Sequence, residues 1–268
     1  MRPIRLVALA VYRESVRDRV PMTIAGFGVL LVSGSYLISQ MTAGQDLKII
    51  KDLGLAALNI LGLLIAVFIG VGLVAKELER RSIYGLLSKP LTREQFLLGK
   101  YFGLLMTLAV NLGAMVLALY AVLFYQDLAA SAAQRATWPA PALDPRLLIA
   151  VALMFGELAI VTALALFFST FTSPLLTLLL TLGLWIAGHF NADLRQFEQV
   201  VDSPAAQYLA LAAYYVLPNL APFNVKAEVV HGVAVSASHV ALTLAYGVVY
   251  ATVLLLAAMA VFRTRDFK

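Results

Sequence analysis

Residues 76–103 read KELERRSIYGLLSKPLTREQFLLGKYFG. They lie between two long apolar runs and carry the densest charge in the chain, with Lys76, Arg80, Arg81, Lys89, Arg93 and Lys100 as cations. A loop this basic between two membrane spans faces the cytoplasm, because lysine and arginine are retained on that side. The stretch also has local structure. Ile83, Leu86 and Leu87 fall at i, i+3 and i+4, so a short helix there has one apolar face. Pro90 cannot continue it, having no backbone N–H. Thr92 then offers an N-cap, and Gln95 three residues later completes a capping box. The reading is helix, break, new helix, with the second helix running into the membrane. A basic knob with an apolar face suits a docking surface.

Composition sets the class. The chain has 268 residues, 62% hydrophobic and 13% charged, with mean hydropathy +0.88 and net charge +5. A soluble domain carries about 25% charged residues, so this is an all-α integral membrane protein. The cations flank apolar runs, which marks them as topology signals rather than a nucleic-acid surface. There is no cysteine, which excludes a disulfide framework, thiolate metal sites and a cysteine nucleophile. No stretch between the apolar runs is long enough for a soluble domain, so residues 1–268 read as one transmembrane domain.

Working outward, residues 1–19 place Leu6, Leu9 and Ala10 on one face among five arginines, which predicts an amphipathic helix lying on the cytoplasmic membrane surface. Spans are expected at residues 20–37, 53–75, 96–125, 147–168, 175–190 and 239–262, with the knob at 76–95. The polar link 40–52 and the proline-rich loop 126–146 are expected outside. Residues 205–222 are apolar, hold three tyrosines and end in Pro218 and Pro222, but are too short for a span of about 20 residues. They are read as a re-entrant or interfacial helical pair on the external side, before the sixth span. Irregular backbone there needs burial in protein or a wet cavity. With both termini inside, 14 lysines and arginines are internal and 6 external, as the orientation rule requires. The small residues of the first and fifth spans make both candidates for a dimer interface.

Several chemistries are missing. Gly99-Lys100 is not a phosphate-binding loop, since Glu94 replaces the needed glycine and Tyr101 the magnesium-binding hydroxyl residue. His189, His231 and His239 lack metal-ligand spacing, so no metal site and no cofactor of the chain's own is expected. Glu157 is the one ionisable residue deep in a span, which is costly in lipid and points to function. It is expected to line a transport path with Asn59 and Asn111, or to pair across helices with Asn59, Asn111 or His189.

The whole layout resembles the membrane subunits of ABC transporters of the ABC-2 type. The resemblance rests on the basic N-terminal helix, the six spans, the knob with its run LLSKPLTR and Gly99-Lys100, and the re-entrant segment. It also rests on Leu217-Pro218-Asn219-Leu220, Tyr246-Gly247, Phe262 and Arg265-Asp266-Phe267. The resemblance implies a permease in a prokaryotic cytoplasmic (inner) membrane, not itself an enzyme. It implies two copies of an ABC ATP-binding subunit carrying ATP and magnesium, and a second permease subunit forming a homo- or heterodimer. By position, residues 82–90 would be the coupling helix. Ile83, Leu86, Leu87 and Pro90 would belong to it, Glu77, Glu79, Arg80 and Arg81 would flank it, and Arg93 and Glu94 would start the return. Export of a substrate is the expected activity. The alternatives are a non-transporting subunit that gates or remodels an envelope complex or supports metalloenzyme maturation, and an intramembrane hydrolase built on a carboxylate–histidine pair.

Overall fold

The computed structural model describes residues 2–17, 19–39, 46–80, 92–191 and 204–264. Among them every regular element is a helix: α1 (Arg2–Arg17), α2 (Arg19–Ser39), α3 (Asp46–Arg80), α4 (Arg93–Ala129), α5 (Ala132–Arg135), α6 (Arg146–Ser169), α7 (Pro174–His189), α8 (Pro204–Val216), a 3-10 turn (Ala221–Phe223), α9 (Lys226–Val230) and α10 (Ala237–Thr264). Among the described residues, four stretches are long and apolar enough to cross a membrane: Leu47–Val71, Glu94–Ala129, Arg146–Ser169 and Ala237–Arg263. Pro3–Arg17 and Met22–Leu37 meet the same test only as a pair bent by 63°, giving at most five.

The start of α4 follows from its cap. The Thr92 hydroxyl accepts from Gln95 N at 3.3 Å, and Thr92 N donates back to the Gln95 side chain at 3.4 Å. From there α4 runs 37 residues unbroken, or about 55 Å at 1.5 Å per residue. A hydrocarbon core is about 30 Å thick, so α4 must tilt or project.

α1 covers the first turns of α4. Gly99 and Gly103, four apart, form a notch that receives Val7 and Val11. A Cβ on Gly99 would lie 2.5 Å from the Val7 Cβ, and one on Gly103 would lie 2.7 Å from the Ala8 carbonyl oxygen. Small residues at this spacing let two helix backbones approach closely. The buried side of α1 is therefore Val7, Ala8, Val11 and Ser15. Leu6 and Leu9, taken from the sequence as the helix's apolar face, point away at 68% and 38% exposure.

α3 is the central element and packs against α2, α4, α6 and α7. Its Leu55, Leu58 and Ile65 are fully enclosed. It begins at Asp46, inside the link expected at residues 40–52, and so carries Lys51 into the protein. That lysine is buried, and its Nζ donates to the Pro141 carbonyl at 2.7 Å. Asp144, also buried, faces it electrostatically. The proline-rich loop is thus fastened to α3 and not merely draped between helices. Meanwhile α2, α7 and α10 turn large apolar side chains outward, among them Leu30, Leu37, Leu175, Leu179, Val248 and Val253. Apolar faces of this extent belong in lipid or against another apolar surface.

Replacing Gly103 by leucine should push α1 off α4, because the Ala8 backbone cannot yield as a side chain can. We expect faster hydrogen exchange confined to residues 4–15 and a stability loss of about 1–3 kcal/mol, typical of overpacking, read by thermal unfolding in detergent.

Candidate functional site

Polar groups gather where α6, α7, α8 and the chain after α8 meet. Glu157 sits halfway along α6 and is 1% exposed. The Trp185 indole N–H donates to Glu157 Oε1 at 2.6 Å. His189 Nε2 lies 3.5 Å from the same oxygen. His189 Nδ1 is 3.0 Å from the Trp185 carbonyl. A carbonyl only accepts, so Nδ1 carries a proton. Trp185 and His189 are one helical turn apart on α7, with ring centres at 4.7 Å. Lys226 on α9 adds a nearby positive charge: burial holds its ammonium below the usual range, and Glu157 pulls it back up.

This cluster exists because α7 is short. Its 16 residues reach about 24 Å, so the helix ends beside the midpoint of α6. Its last carbonyls then need donors. Leu220 N supplies one, bonding to Gly188 O at 2.9 Å. The C-terminus of α8 ends at the same place. Asn191 Nδ2 donates to Tyr214 O at 3.3 Å and to Leu217 O at 2.9 Å. The Tyr250 hydroxyl, midway along α10, donates to Val216 O at 2.8 Å. Asn219 N donates to the Tyr246 hydroxyl at 2.8 Å. The chain therefore turns at mid-height of α10, over Leu217-Pro218-Asn219. It climbs back through the 3-10 turn and α9 to Gly232, whose carbonyl accepts from the Arg146 guanidinium at the start of α6.

Phe223 keys this turn into place. It lies between Gly156 of α6 and Gly247 of α10, where added Cβ atoms would come within 3.1 Å and 3.2 Å of its ring. Gly156 adjoins Glu157, so one notch holds the turn beside the carboxylate.

Of the sequence's polar candidates, His189 is the partner that Glu157 finds. Asn111 bonds within its own helix, donating to Thr107 O at 2.7 Å. Asn59 is buried, and its Oδ1 has no hydrogen-bond partner among the described residues. Neither pairs with Glu157. Trp185 and Lys226 were not anticipated: a tryptophan in an apolar run reads as packing, and Lys226 as an external charge. In the knob, Glu77, Glu79 and Arg80 close α3, and Arg93 opens α4. Arg81, Ile83, Leu86, Leu87 and Pro90, with residues 82–90 as a whole, lie outside the described residues. Glu94 forms a salt bridge with Arg263 at the end of α10. No group of three His, Asp or Glu residues suited to a metal occurs among the described residues.

A family model described as ABC-2 family transporter protein matches residues 6–267, nearly the whole chain. The chain belongs to the ABC-2 transporter family. No curated protein matches it. As an ABC-2 protein it is a multi-pass membrane protein of the permease type, and such proteins work with an ABC ATPase. The polar cluster and the mid-height turn are thus features of an ABC-2 permease component.

Replacing Glu157 tests the cluster. Glu157→Gln keeps an acceptor for Trp185, whereas Glu157→Leu leaves the indole without one and removes the carboxylate beside His189 and Lys226. We expect Glu157→Leu to cost the more, on the order of 3–5 kcal/mol as for a broken buried pair, and Glu157→Gln clearly less, measured by thermal unfolding in nanodiscs. Equal losses would show that the hydrogen bond to Trp185 carries none of the cluster's stability.

Proposed function

We propose that this protein is the membrane-spanning subunit of an ABC-2 exporter, driven by ATP hydrolysis on a separate ATPase. The observation that carries this reading is the family match over residues 6–267. In this reading α2 and α7 join the four long apolar helices to make six spans, with both termini cytoplasmic. Residues 82–90 are the coupling helix, and its apolar side, Ile83, Leu86 and Leu87, enters a cleft on the ATPase. Glu77, Glu79, Arg80, Arg81, Pro90, Arg93 and Glu94 frame that contact. ATP and magnesium stay on two ATPase copies. Two permease subunits pair, as a homodimer or with a related chain, and the outward apolar faces of α2 and α7 support such a pairing. The membrane is a prokaryotic cytoplasmic (inner) membrane.

The interior of the chain is mostly apolar, with Glu157, Asn59 and Asn111 as its polar exceptions, and this reading runs the transport path past them. That lining favours an amphiphilic cargo. Residues 205–222 act as a re-entrant plug on the external side. The turn of the chain at mid-height of α10 supports this, because its backbone groups are met by protein donors as irregular backbone at membrane depth requires.

A hydrolase reading draws on the same Glu157–His189 contact. It fails on the roles of the imidazole nitrogens. Nδ1 is engaged by the Trp185 carbonyl and Nε2 faces the carboxylate, so neither is left to take a proton from a nucleophile.

Tagging the chain at Lys268 and purifying it from the native host in mild detergent tests the proposal. An ABC ATPase should co-purify with wild type and be lost with Leu86→Asp, which puts a charge on the docking side and leaves the spans alone. Recovery of an intact protein with no ATPase from wild type would overturn the coupling reading.

A further inference from the structure

We infer that α10 is a rigid connecting rod, and that it carries displacement from the cytoplasmic docking end to the mid-membrane turn through Arg263, Tyr250 and Tyr246. The inference rests on the permease reading for its meaning, but its residues and its test do not need the ATPase.

Both ends of the rod are fixed by named contacts. At the cytoplasmic end, Arg263 in the last turn of α10 pairs with Glu94 in the first turn of α4. Glu94 is two residues beyond Thr92, where the chain emerges from the knob. The charges also suit their helices, since an acid at an N-terminus and a base at a C-terminus each complement the helix dipole. Over its N-terminal half, α10 holds the turn and the segment after it at four points. The Tyr250 hydroxyl donates to Val216 O, and the Tyr246 hydroxyl accepts from Asn219 N. Gly247 receives the Phe223 ring. His239 Nε2 lies 2.9 Å from Pro222 O. Tyr250 is thirteen residues from Arg263, or about 20 Å along the axis.

Between the two ends α10 is built to move as one piece. It is a single helix of 28 residues with no proline. It is also the least enclosed of the four long apolar helices, packed on α6 along one side with Leu242, Val248, Val249, Val253 and Leu256 facing outward. A helix held on one side, joined firmly at its end and its middle, transmits a shift with little bending. α6 is also bonded to α4, the Tyr101 hydroxyl donating to Ala159 O at 3.2 Å, but it is buried along most of its length and so has less freedom to shift. Tyr246 and Tyr250 are thus positioning residues: they hold Leu217-Pro218-Asn219 against the end of α7, where Leu220 N caps Gly188 O.

Hydrogen exchange on the purified protein in nanodiscs tests this, reading the Asn219 and Leu220 amides. Glu94→Arg and Arg263→Glu should each speed their exchange about two- to fivefold, the size of one exposed ion pair, and the double charge swap should restore the wild-type rate. Tyr250→Phe should speed the same amides. Adding Arg263→Glu to it should add almost nothing, since both changes cut one linkage. Acceleration confined to residues 92–98 and 258–264, failure of the swap to restore the rate, or fully additive effects with Tyr250→Phe would each overturn the inference. Loss of ATPase co-purification with an intact linkage would instead strike only at the coupling reading.

Discussion

Two helices of this protein stop at mid-height of longer apolar helices, and their last carbonyls must find donors there. An unmet backbone carbonyl in such surroundings costs several kcal/mol. The C-termini of α7 and α8 meet at mid-height of α6 and α10, and Leu220 N, Asn191 and Tyr250 supply the donors. Much of the remaining architecture serves this meeting point. Gly156 and Gly247 open the space that Phe223 fills. α10 brings Tyr246 and Tyr250 to the right height. Arg146 and the proline-rich loop tie down the returning chain at Gly232.

Glu157 is placed by the same constraint. A carboxylate halfway along a span has no water to solvate it, so it needs donors from other helices. The short α7 brings Trp185 and His189 to that height, and the returning chain brings Lys226. Had α7 continued to the far side, His189 would have been one more residue in a long apolar helix. A truncated helix and a mid-span acid therefore make one arrangement, each supplying what the other lacks.

The sequence was most legible where a rule is local. The capping box at Thr92 and Gln95 appears in the structure as its spacing predicts, because a cap depends on four neighbouring residues. The all-helical membrane class and the family followed from composition and layout. Legibility fell where partners are distant in the chain. The notch Gly99–Gly103 was visible as letters, but nothing local says that Val7 and Val11 fill it. The sequence shows Leu6 and Leu9 as an apolar side of α1, but both sides of that helix carry apolar residues, and only packing shows that Val7 and Val11 are the ones that meet α4. In the sequence Lys51 reads only as a charge marking the side of the membrane, and nothing local says that its partner is Pro141 O, ninety residues away. His189 was among the partners considered for Glu157. Trp185 was not, because an indole in an apolar run gives no sign that its N–H is in use.

The position of Glu157 in the chain also orders the protein's birth. Synthesis proceeds from the N-terminus, so α6 reaches the bilayer before Trp185, His189 or Lys226 does. The acid must enter without its partners and wait for them. α6 meets this with a very apolar sequence around one carboxyl group, which carries the helix in despite the acid. Only when α7 folds back and the segment around Lys226 arrives is the waiting carboxylate satisfied. Closure of that cluster is therefore a late step of biogenesis, and a nascent chain stalled before Lys226 presents an incomplete polar centre that distinguishes it from finished protein.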